Sequence, residues 1–249
     1  MSITGARIQV ISELCDILPD KLIIATDHQI ALGDSGLVLE LVFFLQRYCS
    51  NHNEYVTGIS IAQALFHILE LKKERMNIDL ILDAYAFFME RLGPGPCSYY
   101  HRGLSLLGCL DPDLKEPVDW TNGLAVVAWF MKNFALESPE DMKAYLIAMI
   151  TYTSERFRLV RHLNYQHERK WANCKMFETE EGYLGIAPKL SIPGDIVYAI
   201  HGCSRPMIFR QQGDHYFYIG TCFILGFMRG ELSEMLERGD IVLERLDIH

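Results

Sequence analysis

The feature that most constrains this chain is a change of rhythm at Trp171. Before it, apolar residues recur at helical spacing; after it, glycine and proline interrupt short β-rich runs every few residues. Pro193, Gly194 and Asp195 form a turn that leads into a run over 196–200. His201 to Arg205 makes a second connection, into 206–210, and Gln211 to Asp214 a third, into 215–219 and onward through 221–225. Gly239 and Asp240 precede a last run over 241–246. Short strands at this spacing predict a small antiparallel β-barrel or rolled sheet.

The residues ahead of the break read differently. Leu37 to Leu45 is apolar nearly all round, which predicts a central, buried helix capped by Asp34 or Ser35. Ile61, Leu65, Ile68 and Leu69 line one face of a second helix. Asn77 can cap a third, with Ile81, Ala84, Tyr85 and Phe88 inward, before Gly93, Pro94, Gly95 and Pro96 break regular structure. Leu124, Val127, Ala128 and Met131 predict another helix. Ser138, Pro139, Glu140 and Asp141 open the best-punctuated one, expected to run roughly 25 to 30 residues. Ala6 to Ile11 alternates polar and apolar residues and reads as a strand. An isolated strand is not stable, so this one should join the C-terminal sheet. The expected fold is therefore α+β: strand and lead-in over 1–25, a mainly helical region over 26–172, and a β module over 173–249 packed on it in one shared core.

Composition narrows the function classes. The chain has 249 residues and a net charge of −9, which argues against binding a phosphate backbone. Seven cysteines are scattered without a CxxC pair, so neither a zinc ribbon nor a thioredoxin-like site is expected. The start has no basic region before an apolar block, and no apolar stretch approaches the roughly 20 residues of a membrane helix. A cytoplasmic protein without nucleic-acid or membrane partners is the expectation.

An ordered set of motifs then stands out. Phe177 and Thr179 precede Gly182, Gly185 and Pro188; Gly194, Asp195 and Val197 follow; then come Pro206 and Arg210, Tyr216 and Gly220, and finally Phe223, Gly226, Met228, Gly230 and Glu231. In this order they resemble the C-terminal part of fungal heterokaryon-incompatibility (HET-domain) proteins. The likeness is dense after Lys175 and holds in outline before it, including the opening strand. Leu225 stands where the family often has His, Arg229 where it has an acid, and His201 to Ser204 where it has a Gly-Gly turn. The resemblance implies a chain without the N-terminal HET domain, and so without that domain's nucleotide-cleaving activity. It further implies a part in non-self recognition or incompatibility signalling.

Candidate sites divide into binding and structural residues. Arg158, Arg161 and His162 share a helix face that can meet an anionic ligand or an acidic partner, although cations near a helix end also complement its dipole. His201, Cys203, Asp214 and His215 sit at adjacent turns. They lack the paired spacing of a structural zinc site, and no metal or cofactor is expected. Cys203 beside His201, and Cys97 near His101, raise a thiol nucleophile without matching a known signature. Glu180 with Glu181, and Glu140 with Asp141, read as exposed loop and helix-start residues rather than an acid/base pair. The structural set is Gly182, Gly185 and Pro188 in a loop packing helices against the sheet, and Gly194 and Asp195 in a register-setting turn. Pro206, Arg210, Gly220 and Glu231 complete it, with Gly226 and Gly230 at a bulge or strand bend. The function expected is a non-catalytic recognition or regulatory module binding a protein or small-molecule ligand. The rival readings are an accessory enzyme or small-molecule-binding protein of fungal secondary metabolism, and a truncated product without function.

Overall fold

A computed structural model describes residues 2–16, 36–70, 128–129, 132–133, 173–228 and 230–248. The chain divides into two compact units, one of residues 1–18, 67–73 and 171–249, the other of 19–66 and 74–170.

The first unit is an antiparallel sheet of eight strands. They are β1 (Ser2–Asp16), β2 (Cys174–Thr179), β3 (Leu184–Pro188), β4 (Ile196–Ile200), β5 (Met207–Gln212), β6 (His215–Thr221), β7 (Phe223–Ile224) and β8 (Leu243–Asp247). The strand order is β6-β5-β4-β1-β2-β3-β7, and β8 pairs with β1. The two ends of that order, β6 and β7, are joined in the chain by Cys222 alone. The sheet therefore curls until its ends meet, which is how a strand order becomes a barrel. Cys222 N–H donates to the Pro206 carbonyl at 3.0 Å, and Leu225 N–H to that of Leu184 at 3.2 Å.

Strand β1 is the centre of this sheet. Residues Gly5 to Val10 pair with β4; on the other side Ser2 to Ala6 pair with β8 and Ile11 to Asp16 with β2. A straight strand of 15 residues would span about 50 Å, too long for a small barrel. Register shifts between Arg7 and Gln9 and between Ile11 and Glu13 mark two bulges, which bend the strand round the barrel. Inside lie Ile8, Ile11, Phe177, Ala187, Val197, Ile208, Cys222, Ile224 and Phe227. A second cluster, Ile196, Tyr198, Ile200, Phe209 and Leu246, covers the other face of β4 and β5. Burial on both faces explains why β4 is a continuous apolar run rather than an alternating one. The strand expected at Ile8 to Ile11 thus joins the C-terminal sheet, at its centre.

In the second unit, helix α1 (Gly36–Asn51) lies where Leu37 to Leu45 predicts one, but Phe43 is 54% exposed while Phe44 and Leu45 are buried. The helix is not buried all round at that point. Helix α2 (Ile61–Glu70), which begins in the second unit and ends in the first, buries Ile61, Leu65 and Ile68 as the spacing predicts. Ser60 caps it, its Oγ accepting the Gln63 N–H at 3.1 Å and donating to the Asn133 carbonyl. The mainly helical region expected over 26–172 is not carried by the described residues. Within that range they show α1, α2 and helical turns at 128–129 and 132–133. The helices expected from Asn77 and Ser138 lie outside them. Taken together the described residues are mostly antiparallel sheet with a few helices. No helix among them is long and apolar enough to cross a membrane.

Three further corrections concern the β module. Gly182, Gly185 and Pro188 do not form a loop between helices and sheet; they belong to the β2–β3 hairpin, with Gly185 and Pro188 in β3 itself. A methyl group at Gly185 would sit 2.5 Å from Phe177 Cζ, so the strand needs glycine there to let that ring enter the core. Gly226 and Gly230 mark no strand bend: Gly226 turns the chain after β7, and Gly230 is the N-cap of helix α3 (Glu231–Arg238). That helix was not legible, because its cap is a backbone conformation and its sequence is mostly polar. Leu232 and Met235 fasten it to the barrel core.

Candidate functional site

Strands β4 and β5 pair Ile196 with Phe209, Val197 with Ile208 and Tyr198 with Met207. The next position along that register sets Asp195 against Arg210. The carboxylate is buried, at 1% exposure, and Arg210 grips it with both arms of its fork. Nε donates to Oδ1 at 2.7 Å and Nη2 to Oδ2 at 2.9 Å. Oδ2 also accepts the Ile192 N–H at 2.9 Å, and Nη2 also donates to the Leu190 carbonyl at 2.8 Å. The hydrogen bonds that Arg210 donates to the Asp195 carboxylate hold its pKa above the ordinary value, so the guanidinium stays charged. Charge-assisted bidentate pairs of this kind combine strength with fixed geometry.

The pair braces the loop 189–195. Ser191 N–H donates to the Pro188 carbonyl at 3.0 Å, and Lys189 N–H to that of Asn173 at 2.8 Å. Gly194 N–H donates to the Ile11 carbonyl at 2.8 Å, while Ile11 N–H donates to that of Asp195 at 2.9 Å. Gly194 has a φ of +89°, a conformation that glycine enters without steric penalty, and this lets the turn close on β1. Lys175 reaches the Ser191 carbonyl at 3.4 Å. The loop is thus tied to β1, β2 and β5, yet it holds Leu190 at 74% and Ile192 at 46% exposure. The braced backbone thus holds two apolar side chains out to solvent.

The other candidates are dispersed. His201 and Cys203 lie exposed in the β4–β5 connection, where His201 N–H donates to the Thr4 carbonyl and Cys203 N–H to that of Ile200, each at 3.0 Å. Asp214 and His215 lie at the β5–β6 turn; His215 Nδ1 is 3.0 Å from Asp214 Oδ1 and its ring meets Phe217. Among the described residues no three His, Cys, Asp or Glu converge as metal ligands would. Pro206 is buried, and Pro188 stands against Gly220 of β6. Glu231 opens α3, where it and Glu181 add to burial in raising the Tyr183 pKa. Arg158, Arg161, His162, Cys97 and His101 lie outside the described residues. Leu190, Ile192 and Lys175 were missed. The signal that would have found them was the register of the β4–β5 hairpin, which pairs the acid of one motif with the base of the next.

Residues 131–243 match the family model of the Het-6 beta-barrel domain. Heterokaryon incompatibility protein 6, OR allele, of Neurospora crassa is 31% identical over 143 residues, covering 53% of this chain and 20% of that protein. The chain therefore spans only a minor part of that relative's length. No solved structure matches the chain. The C-terminal part of the chain is related to the heterokaryon-incompatibility proteins, and the family match reaches back well before the break at Trp171.

Proposed function

We propose that this chain is a non-catalytic recognition module of fungal heterokaryon incompatibility, acting in the cytoplasm on a protein ligand. The observation that carries the reading is that the Het-6 barrel match contains the braced loop and both residues of its brace. The relative's name ties that barrel to incompatibility. The Asp195–Arg210 pair supports recognition over catalysis because its Nε and Nη2 donors are engaged by Asp195 and Leu190, which sets the pair to shape a surface. In this reading the loop 189–195 is the surface that discriminates partners.

The test is inducible expression in a filamentous fungus, paired by hyphal fusion with strains that differ in incompatibility genes. Slowed growth or death of fused compartments is expected in at least one pairing, weakened by Arg210→Leu at equal protein level. Growth like the empty-vector control in every pairing refutes the reading. Its non-catalytic half is checked separately: purified protein incubated with NAD should release no nicotinamide above buffer.

A further inference from the structure

Strand β8 is lightly anchored. Of its residues Leu246 alone is buried, and the bonds of Ser2 to Asp247, at 2.6 Å, and of Arg245 to Ser2, at 2.8 Å, lie in solvent, where they add little to stability. Its seat, by contrast, is built by other strands. Tyr198, Ile200 and Phe209 form an apolar surface on β4 and β5, bordered by Ile3 of β1, and the β1 edge Ser2–Ala6 runs alongside. Glu244 joins the hydroxyls of Tyr198 and Tyr216 in a hydrogen-bonded cluster, Leu246 enters the surface, and Ile248 bridges to Tyr216. At the other end of β8 the fold leaves apolar side chains uncovered. Val242 is 75% and Leu243 45% exposed, and Val242 lies in the link 240–242 between α3 and β8. That link spans only three residues and turns away from the helix through Gly239, whose φ is +78°.

We propose that two copies of this chain exchange β8, each seating the other's strand on its own β1, with Val242 and Leu243 of both copies meeting where the two links cross. The seat fixes the occupant. Its register, from Ser2 against Asp247 to Ala6 against Leu243, and its inward series of Glu244, Leu246 and Ile248 are those of β8, so a second copy's β8 remakes the contacts of the closed chain. Exchange of an identical element is for this reason a low-cost route to a dimer, and a short hinge between an element and its seat invites it. The link residues then gain cover that the closed chain denies them, which offsets the freedom lost on association. The contact is two-fold, so it closes at the dimer. Two acids near the link have cations of their own: Asp240 is held by Arg238 at 2.8 Å and Asp247 by Arg245 at 3.9 Å. The net charge of −9 still sets copies against each other at longer range, so added salt should favour the dimer. The inference goes beyond the recognition reading and uses neither the loop 189–195 nor its brace.

The experiment tracks the strand by cross-linking in the full-length chain. Ser2→Cys with Asp247→Cys places two thiols at paired positions whose side chains already touch, so a disulfide can form between them. Exposed Cys203 is removed by Cys203→Ser. Equal amounts of light and heavy-isotope chain are incubated together under reducing conditions, concentrated or dilute, until sedimentation velocity shows no further change. They are then oxidised and digested. In the closed chain the cross-link joins positions 2 and 247 of one copy; in the exchanged dimer it joins two copies. The concentrated mixture should give light-to-heavy cross-links in up to about half of the total, the share that random pairing of two equal pools sets, and the dilute mixture almost none. The wild type should sediment as a monomer when dilute, and as a dimer and nothing larger when concentrated. Val242→Asp changes a solvent-facing side chain and should keep the circular dichroism of the wild type while losing the dimer. Cross-links confined to one isotope at high concentration, a wild type monomeric throughout, assembly past the dimer, or dimerisation by the Val242→Asp chain each overturn the proposal.

Discussion

At the scale of single residues, the Asp195–Arg210 pair carries the sharpest consequence. Removing one partner of a buried, hydrogen-bonded ion pair leaves the other charged and unmatched. Arg210→Ala should therefore lower stability by about 2–4 kcal/mol, the upper end moderated because Arg210 itself is 28% exposed. Arg210→Lys keeps the charge but cannot hold both oxygens and the Leu190 carbonyl together, and should cost about 1–2 kcal/mol. Urea denaturation measures both, and equal midpoints for the two variants would mean that the charge contributes nothing without the fork. Both residues were recognisable in the sequence as motif positions. Their partnership was not, because a turn residue and a strand residue are read separately until the register joins them. The thiols make a second case. Burial pushes the Cys222 thiol up, so it stays protonated near neutral pH, and only the thiolate alkylates quickly. In the native protein at pH 8, iodoacetamide should modify exposed Cys203 well before Cys222, as peptide mapping will read. Comparable rates would show that the barrel opens readily at the β6–β7 link.

At the scale of elements, what was legible depended on which force sets the element. Strands β4, β5 and β6 follow from turn chemistry and apolar runs, both written locally. Strands β2 and β3 were hidden because Gly185 and Pro188 look like loop residues; the glycine is there for the Phe177 ring, a neighbour from the adjacent strand. Gly185→Ala should cost roughly 2–3 kcal/mol by overpacking, and a denaturation midpoint near wild type would contradict the close approach. Helix α2 shows the opposite case, a local signal confirmed in place. Ser60 both accepts the Gln63 N–H and donates across to Asn133, so Ser60→Ala should cost at least the ~1 kcal/mol of an ordinary N-cap. A loss below half of that would mean the cap is filled by another group.

At the scale of the whole molecule, the sheet is assembled from the two ends of the chain. Asp16 is paired with Lys175, so residues 17–173 leave and re-enter the sheet at one place. Sequence alone could not show this, because the pairing joins residues far apart along the chain. Two consequences follow. The fragment 173–249 lacks the strand that lies between β4 and β2, which leaves two pieces with new open edges; it should be insoluble or unfolded. Closing so long a loop, by contrast, carries an entropy cost of ~4–5 kcal/mol that a short turn would mostly abolish. We therefore predict that residues 1–16 joined through Asn-Gly to 175–249 will fold as a barrel, since that dipeptide suits a tight hairpin between the paired Asp16 and Lys175. Circular dichroism should show β-structure, and calorimetry a single transition. An insoluble joined chain beside a folded full-length one would mean that the barrel draws its stability from the inserted residues, in the single shared core that the apolar run at Leu37 to Leu45 leads one to expect.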